Sequence, residues 1–155
     1  MQPLAVTGLF IVIFAAVLLL RLWLCSRQIR HVARHRAAVP RRFVDAVSLA
    51  SHQRAADYTI ARQRFDLVEI AWHAAVLIGW TLLGGLNVLS QALLEAVQPR
   101  WGDLAYGVSL LVIASLVSSV LDWPLEAWRT FRIEQAFGFN RMTAGLWWRD
   151  RLLGG

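Results

Sequence analysis

The stretch between Leu4 and Leu20 reads LAVTGLFIVIFAAVLLL, and LWLC follows it directly after Arg21. About twenty apolar residues of this kind suffice for a helix to cross a bilayer. A cleaved signal peptide is the competing interpretation, but it needs a basic region before the apolar run. Residues 1–7 carry no charged side chain. The stretch therefore predicts a retained transmembrane helix.

Two further apolar segments follow, one from about Ile70 to Val88 that can extend to Val97, and one from about Leu104 to Leu121. Helices are the natural assignment because they satisfy their own backbone hydrogen bonds inside lipid. Hydrophobic residues make up 57% of the chain, whereas soluble domains contain roughly 45–50%. The sequence predicts an all-α membrane protein with about three transmembrane helices, a helical cytoplasmic loop and an aromatic-rich cytoplasmic tail.

The distribution of arginine predicts the orientation in the membrane. Ten Arg and three Asp lie between Arg21 and Asp66, whereas the Glu95–Asp103 connection has one Arg and two acids. Arg-rich loops remain on the cytoplasmic side. We expect the N-terminus outside, the first loop and the tail inside, and a bacterial cytoplasmic membrane as the location. The net charge of +6 lies beside apolar segments, which favours a lipid surface over nucleic acid as the partner.

The first loop has a helical pattern on both sides of Pro40. Residues 27–38 have helix-forming composition, and Pro40 ends or interrupts that helix. Helical spacing resumes with Phe43, Val44, Val47 and Leu49, and it continues through residues 51–65. The loop is therefore predicted to be ordered.

Two groups of ionisable residues are weighed as sites. His31 and His35 have the i, i+4 spacing of two zinc ligands, but Val32 stands where a zinc protease needs glutamate. A solvated face beside the membrane is favoured there. Glu69 and His73 begin the second apolar segment, where ionisable groups usually face a bundle interior or a water-filled cavity. Either they line such a cavity, or Glu69 lies at the interface and His73 bonds a backbone carbonyl.

Two blocks of residues carry a family resemblance. The first reads HQRAADYTIAR from His52 to Arg62, and the second contains Gly-Phe-Asn-Arg-x-Thr from Gly138, with Trp-Trp-Arg-Asp following from Trp147. Together they resemble the N-terminal membrane region of the type I CAAX prenyl proteases, which are integral-membrane zinc metalloendopeptidases. The residues expected to have structural roles in these motifs are Tyr58, Arg62, Pro124, Glu134, Gly138, Phe139, Asn140, Thr143 and Asp150.

The second block is expected to be structural. Pro124 punctuates the preceding apolar segment, Gly138 provides a permissive backbone position, and Asn140 can cap a following helix. We expect residues 134–150 to dock missing catalytic helices, with Glu134 and Asp150 paired to arginines. The aromatic anchors expected to form an exposed patch are Phe131, Phe137, Phe139, Trp147 and Trp148.

The resemblance implies a zinc site that this sequence lacks. In the family a downstream His-Glu-x-x-His helix and a later Glu bind zinc and activate water, and no such motif occurs in residues 1–155. We therefore assign no catalytic residue, metal ligand or cofactor to this chain. Residues 1–155 are expected to form an N-terminal transmembrane domain that is inactive alone. Its implied partners are the bilayer, a missing C-terminal catalytic domain and a peptide or protein substrate. The alternative is a non-enzymatic, truncated membrane interaction or lipid-binding protein.

Overall fold

The computed structural model describes residues 3–138, 145–147 and 149, and throughout these residues the chain forms helices and turns without a strand. The all-helical prediction is therefore confirmed. A short 3-10 helix, Arg41–Phe43, and a π-helical turn, Arg129–Glu134, accompany four α-helices. The four α-helices are α1 (Pro3–His35), α2 (Leu49–Thr81), α3 (Gly85–Ala96) and α4 (Gln98–Trp128). The described residues form two compact units, the first ending at Trp123 and the second beginning at Pro124.

The prediction of helical spacing from Phe43 to Leu49 is wrong. After the 3-10 helix the chain makes turns, and α2 begins only at Leu49. Ser48 adopts an extended conformation, and its Oγ accepts a hydrogen bond from the Ser51 amide at 3.2 Å. A serine in this position satisfies an otherwise free amide of the first helical turn, so it starts a helix rather than continuing one. Phe43 and Val44 are exposed, so no burial stabilises a helix through them.

Helices α1 and α2 pack as an antiparallel pair. Cys25 Sγ donates to the Gln63 carbonyl oxygen at 3.0 Å. Nearer the connecting loop, the Arg36 guanidinium donates to both carboxylate oxygens of Asp57, at 2.6 and 2.8 Å. Cys25 and Phe65 are among the few buried side chains of the described residues. The two helices are thus joined by polar contacts at the end that carries the Arg-rich loop.

The Arg36–Asp57 ion pair gives a pH-dependent contribution to stability. Both residues lie outside the apolar stretches, and the hydrogen bond from Arg36 lowers the pKa of the Asp57 carboxyl. A carboxyl with a lowered pKa stabilises the fold above its unfolded pKa, about 3.9, and loses that contribution as the pH falls through the folded value. We expect Asp57→Asn to lower the melting temperature slightly at neutral pH and to match the wild type in acid. A difference that did not shrink as the pH fell below the unfolded pKa of about 3.9 would contradict the assignment.

The chain bends at Gly84, between α2 and α3. Gly84 has a φ of 83°, which side chains rarely adopt, and it separates the two helices. The helix axes differ in direction by 47°. Before the bend, the Ile78 carbonyl accepts hydrogen bonds from both the Leu82 and Leu83 amides, so α2 closes with satisfied backbone groups.

Helix α4 runs antiparallel to α2, and side-chain hydrogen bonds join it to α2 and α3. Trp80 Nε1 donates to Ser118 Oγ at 2.9 Å, and the hydroxyls of Ser90 and Tyr106 lie 2.7 Å apart. Gly102, with a φ of 78°, interrupts α4 near its start.

Pro124 lies inside α4 and does not end it, contrary to the expected punctuation. Proline removes one amide hydrogen, and in membrane helices neighbouring groups can compensate for this loss.

The apolar surfaces of the helices identify the environment of the fold. Leu4–His35 and Gln98–Glu134 are each long and apolar enough to cross a membrane. The bent pair α2–α3 makes a third span if it counts as one. Within the apolar stretch of each helix, only 6% is buried in Leu4–His35 and 0% in Gln98–Glu134. Because water does not tolerate this much exposed apolar surface on a monomer, the helices require lipid or further protein around them.

Candidate functional site

A histidine and an aspartate meet on facing helices of the first unit. His73 Nε2 of α2 lies 3.3 Å from Asp122 Oδ1 of α4. This oxygen is covered from solvent and has no well-aligned hydrogen bond within the described residues. The two atoms are therefore within ion-pair distance of each other without forming a well-aligned hydrogen bond. Asp122 was not selected as a site residue from the sequence, because the axial offset between two helices cannot be read from their periodicity.

His73 and Glu69 differ in what they line. His73 borders a cavity of about 190 Å³ between α1 and α2, together with Arg21 and the apolar side chains of Phe14 and Leu77. Glu69 lies one turn earlier on the same face of α2 and is half-buried, but it does not line this cavity. Of the expected pair, the structure thus brings His73 to the wall of this cavity and leaves Glu69 beside it.

A second cavity adjoins the first towards the Arg-rich loop. It measures about 440 Å³ and is bordered by Arg21, Gln28, Gln63 and Asp66. Gln63 Nε2 donates to Asp66 Oδ2 at 2.8 Å, and the Gln63 side-chain oxygen accepts from Cys25 Sγ at 3.3 Å. The two cavities share Arg21 and Ile70, and together they are named the α1–α2 groove. Sequence reasoning missed this network, since its members belong to different predicted segments.

Three histidines cluster beside the end of α1. The rings of His31 and His35 have centroids 4.4 Å apart, and His35 Nδ1 donates to the His31 carbonyl at 2.8 Å. His52 Nε2 donates to the His35 carbonyl at 3.0 Å. One ring nitrogen of His35 and one of His52 are therefore hydrogen-bonded to backbone carbonyl oxygens. Within the part of the chain that the structure describes, no three His, Cys, Asp or Glu side chains are arranged to hold a metal ion.

The motif residues lie on three different elements. Arg62 Nη1 lies 3.5 Å from the Tyr58 hydroxyl, one turn away on α2. Glu134 ends the π-helical turn, and its Oε1 lies 4.0 Å from Arg129 Nε. Gly138 has a φ of 78°. The remaining motif residues, Phe139, Asn140, Thr143 and Asp150, lie outside the described residues.

The prediction of an exposed aromatic patch is wrong for Trp147. This side chain is 9% exposed, and its ring meets Phe131 edge to face with the centroids 6.2 Å apart. Aromatic pairs of this geometry are stabilising beyond the area they bury. The second unit therefore covers one of its own anchors, which leaves less aromatic surface for a partner than the sequence indicated. Trp148 lies outside the side chains that the structure describes.

Three curated relatives resemble the chain. CAAX prenyl protease 1 of Saccharomyces cerevisiae is 26% identical over 115 residues, which cover 70% of this chain and 25% of that protein. CAAX prenyl protease 1 homologs of Caenorhabditis elegans and Oryza sativa are 26% and 27% identical, and cover 79% of this chain and 27% and 31% of those proteins. The chain thus spans about a quarter to a third of the relatives' length. No solved structure matches it.

A family model described as CAAX prenyl protease N-terminal, five membrane helices, matches residues 28–155. The described residues hold two helices that could span a membrane, or three with the bent pair, so the family description names more spans than the expected three. The match includes both motif blocks and most of the chain. The chain therefore belongs to the family of CAAX prenyl protease N-terminal regions and is a multi-pass integral membrane protein.

Proposed function

We propose that this chain is the N-terminal, membrane-embedded part of a zinc metalloendopeptidase, and that it forms the scaffold of the chamber in which a peptide bond is hydrolysed. The family match over residues 28–155 is the observation that carries this proposal. It does not favour the alternative of a non-enzymatic membrane interaction protein. In this proposal residues 1–155 form one transmembrane domain, and a C-terminal catalytic domain supplies the zinc ligands and the general base.

The contacts between helices support a scaffold role. Three of the polar contacts described above join two helices: Cys25 with Gln63, Trp80 with Ser118, and His73 with Asp122. Polar groups in a membrane bundle are favoured where they find partners across helices. We assign Glu69 and His73 to the interior of the assembled scaffold, although the His73 side chain is 54% exposed in this chain, and we infer that His73 and Asp122 set the position of α2 against α4. The motif residues are assigned structural roles, and residues 134–150 are proposed to dock the catalytic helices.

A chimeric enzyme tests the proposed function. This chain would replace the matching quarter of the yeast relative, and cleavage of a farnesylated CAAX peptide would be measured in detergent. We expect the chimera to cleave the peptide and the chain alone to leave it intact. A chain that cleaved the peptide alone would refute the scaffold role. A folded, zinc-loaded chimera that bound the peptide without cleaving it would show that this chain cannot form the chamber.

The orientation is part of the same proposal. We infer three spans with the N-terminus outside, counting the bent pair α2–α3 as one. The antiparallel packing of α2 against both α1 and α4 supports an alternating path, and the Arg-rich connection between α1 and α2 supports a cytoplasmic first loop. The bacterial cytoplasmic membrane stays a prediction from the sequence, because the relatives named above are eukaryotic.

Cysteine labelling tests the orientation. In a Cys25→Ala background, Ser51→Cys marks the first loop and Arg100→Cys marks the second. Arg100 is preferable to Gly102, whose φ of 78° would strain a cysteine. We expect a membrane-impermeant maleimide to label Arg100→Cys in intact cells and Ser51→Cys only after permeabilisation. The opposite pattern would reverse the topology.

A further inference from the structure

The α1–α2 groove changes character along its length. Its first part is bordered by the apolar side chains of Phe14, Leu18 and Leu77. Its second part, towards the Arg-rich loop, remains mostly apolar but adds the polar side chains of Gln28, Gln63 and Asp66, and Arg21 borders both parts. An apolar groove that gains polar groups towards one end suits an amphiphile, with the tail in the first part and the headgroup in the second.

The position of Arg21 in α1 places its side chain within reach of lipid phosphates if α1 crosses the bilayer from Leu4. Arg21 follows Leu4 by a helical length of about 25 Å at 1.5 Å per residue, and the hydrocarbon core is about 30 Å thick. If Leu4 begins the span, Arg21 is therefore close to the opposite interface. Arginine near the end of a membrane helix reaches the interface with its charged group. Arg21 forms no ion pair within the described residues, so its guanidinium is available to a phosphate.

The two charges that border the second part of the α1–α2 groove cancel. Arg21 contributes one positive charge and Asp66 one negative charge, and the two side chains do not pair with each other. Gln63 donates to Asp66 Oδ2, which leaves Oδ1 for another donor. An anionic headgroup would find no match for Asp66, whereas a zwitterionic headgroup matches both charges. A primary ammonium can also donate a hydrogen bond to the carboxylate, and a quaternary ammonium cannot.

We propose that the α1–α2 groove binds phosphatidylethanolamine, with the phosphate on Arg21, the primary ammonium on Asp66 and an acyl chain along Phe14 and Leu77. This site is independent of the peptidase reaction. It places a lipid between the two helices that carry the interhelical contacts of Cys25 and Arg36, so the bound lipid would stabilise their packing.

Native mass spectrometry of the purified chain tests the proposal. The chain in detergent would receive equal amounts of phosphatidylethanolamine, phosphatidylcholine and phosphatidylglycerol with identical acyl chains. We expect about fivefold preference for phosphatidylethanolamine over phosphatidylglycerol, the factor of one partly exposed ion pair, and a smaller preference over phosphatidylcholine, which lacks only the hydrogen bond to Asp66. Asp66→Asn should abolish that preference, and Arg21→Gln should weaken the binding of all three lipids. Arg100→Gln removes the same charge outside the groove and should retain the wild-type selectivity.

Three outcomes would overturn the proposal. The first is a wild-type chain without selectivity, which needs no variant to fold. The second is full selectivity in Asp66→Asn, and the third is an equal loss in Arg100→Gln. A wild-type chain that bound none of the lipids, because a second copy or further helices fill the groove, would also overturn it.

Discussion

Gly85→Ala is expected to destabilise the bend between α2 and α3 strongly. A Cβ atom at this position would lie 2.8 Å from the Gly79 carbonyl oxygen and 3.1 Å from the Trp80 ring. The first contact is with backbone, which cannot move aside as a flexible side chain can. Overpacking of this kind costs about 1–3 kcal/mol. The measurement is the thermal unfolding midpoint of the purified chain in detergent.

Gly79→Ala is the matched control for this prediction. A Cβ atom at Gly79 would meet nothing within 4 Å, and alanine is favoured over glycine inside a helix by roughly 0.5–1 kcal/mol. We therefore expect Gly79→Ala to unfold at the same temperature as the wild type or at a higher one. Equal destabilisation by the two substitutions would mean that the close approach at the bend does not limit stability.

The second large effect is expected in the tail. Trp147 is buried against Phe131, and Trp→Ala at a buried site costs about 3–5 kcal/mol. Gly138→Val places a β-branched residue at a φ of 78°, a conformation that costs ordinary residues about 1–2 kcal/mol. In the chimera with the yeast catalytic part, both substitutions should lower folded yield and total activity together. Activity per folded molecule should remain nearly unchanged if the segment supports the fold without contacting the reacting atoms, as we propose.

Trp128→Ala is the control for the tail. Trp128 lies in the same unit but is 60% exposed, so its loss should change folded yield little. Comparison of fluorescence-detected size-exclusion peaks with rates of peptide cleavage separates the two quantities. Unchanged yield with collapsed turnover in Gly138→Val would place this segment in the active site and disprove its structural assignment.

The sequence was most informative about where helices form. The apolar runs at residues 4–20 and 104–121 lie in helices, and the run at residues 70–97 does so except at the bend of residues 82–84 and at its last residue, because long apolar segments leave the backbone few alternatives in lipid. The motif blocks identified the family, which the match over residues 28–155 confirms. The number of spans was less predictable, since Gly84 breaks an apolar segment that has no charged residue at the break.

Contacts between helices could not be predicted. Periodicity shows which residues share a helix face, but it does not give the axial offset that brings His73 to Asp122 or Cys25 to Gln63. The spacing from Phe43 to Leu49 misled for a different reason. The apolar residues there are spaced as in a helix, but the Ser48 side chain caps α2, so the helix begins only at Leu49. Tyr58 and Arg62 were expected on one helix, and they do lie one turn apart on α2.

The central claim is that this chain provides a membrane scaffold while zinc chemistry belongs to another part of the enzyme. Zinc per chain, measured by plasma mass spectrometry on purified protein after dialysis against trace zinc, tests it most directly. The His31–His35 pair is the arrangement with the spacing of zinc ligands, and His35 Nδ1 is already bonded to the His31 carbonyl. We predict far less than one zinc per chain, with no change in His31→Ala or His35→Ala. One zinc per chain, lost in either variant, would contradict the account.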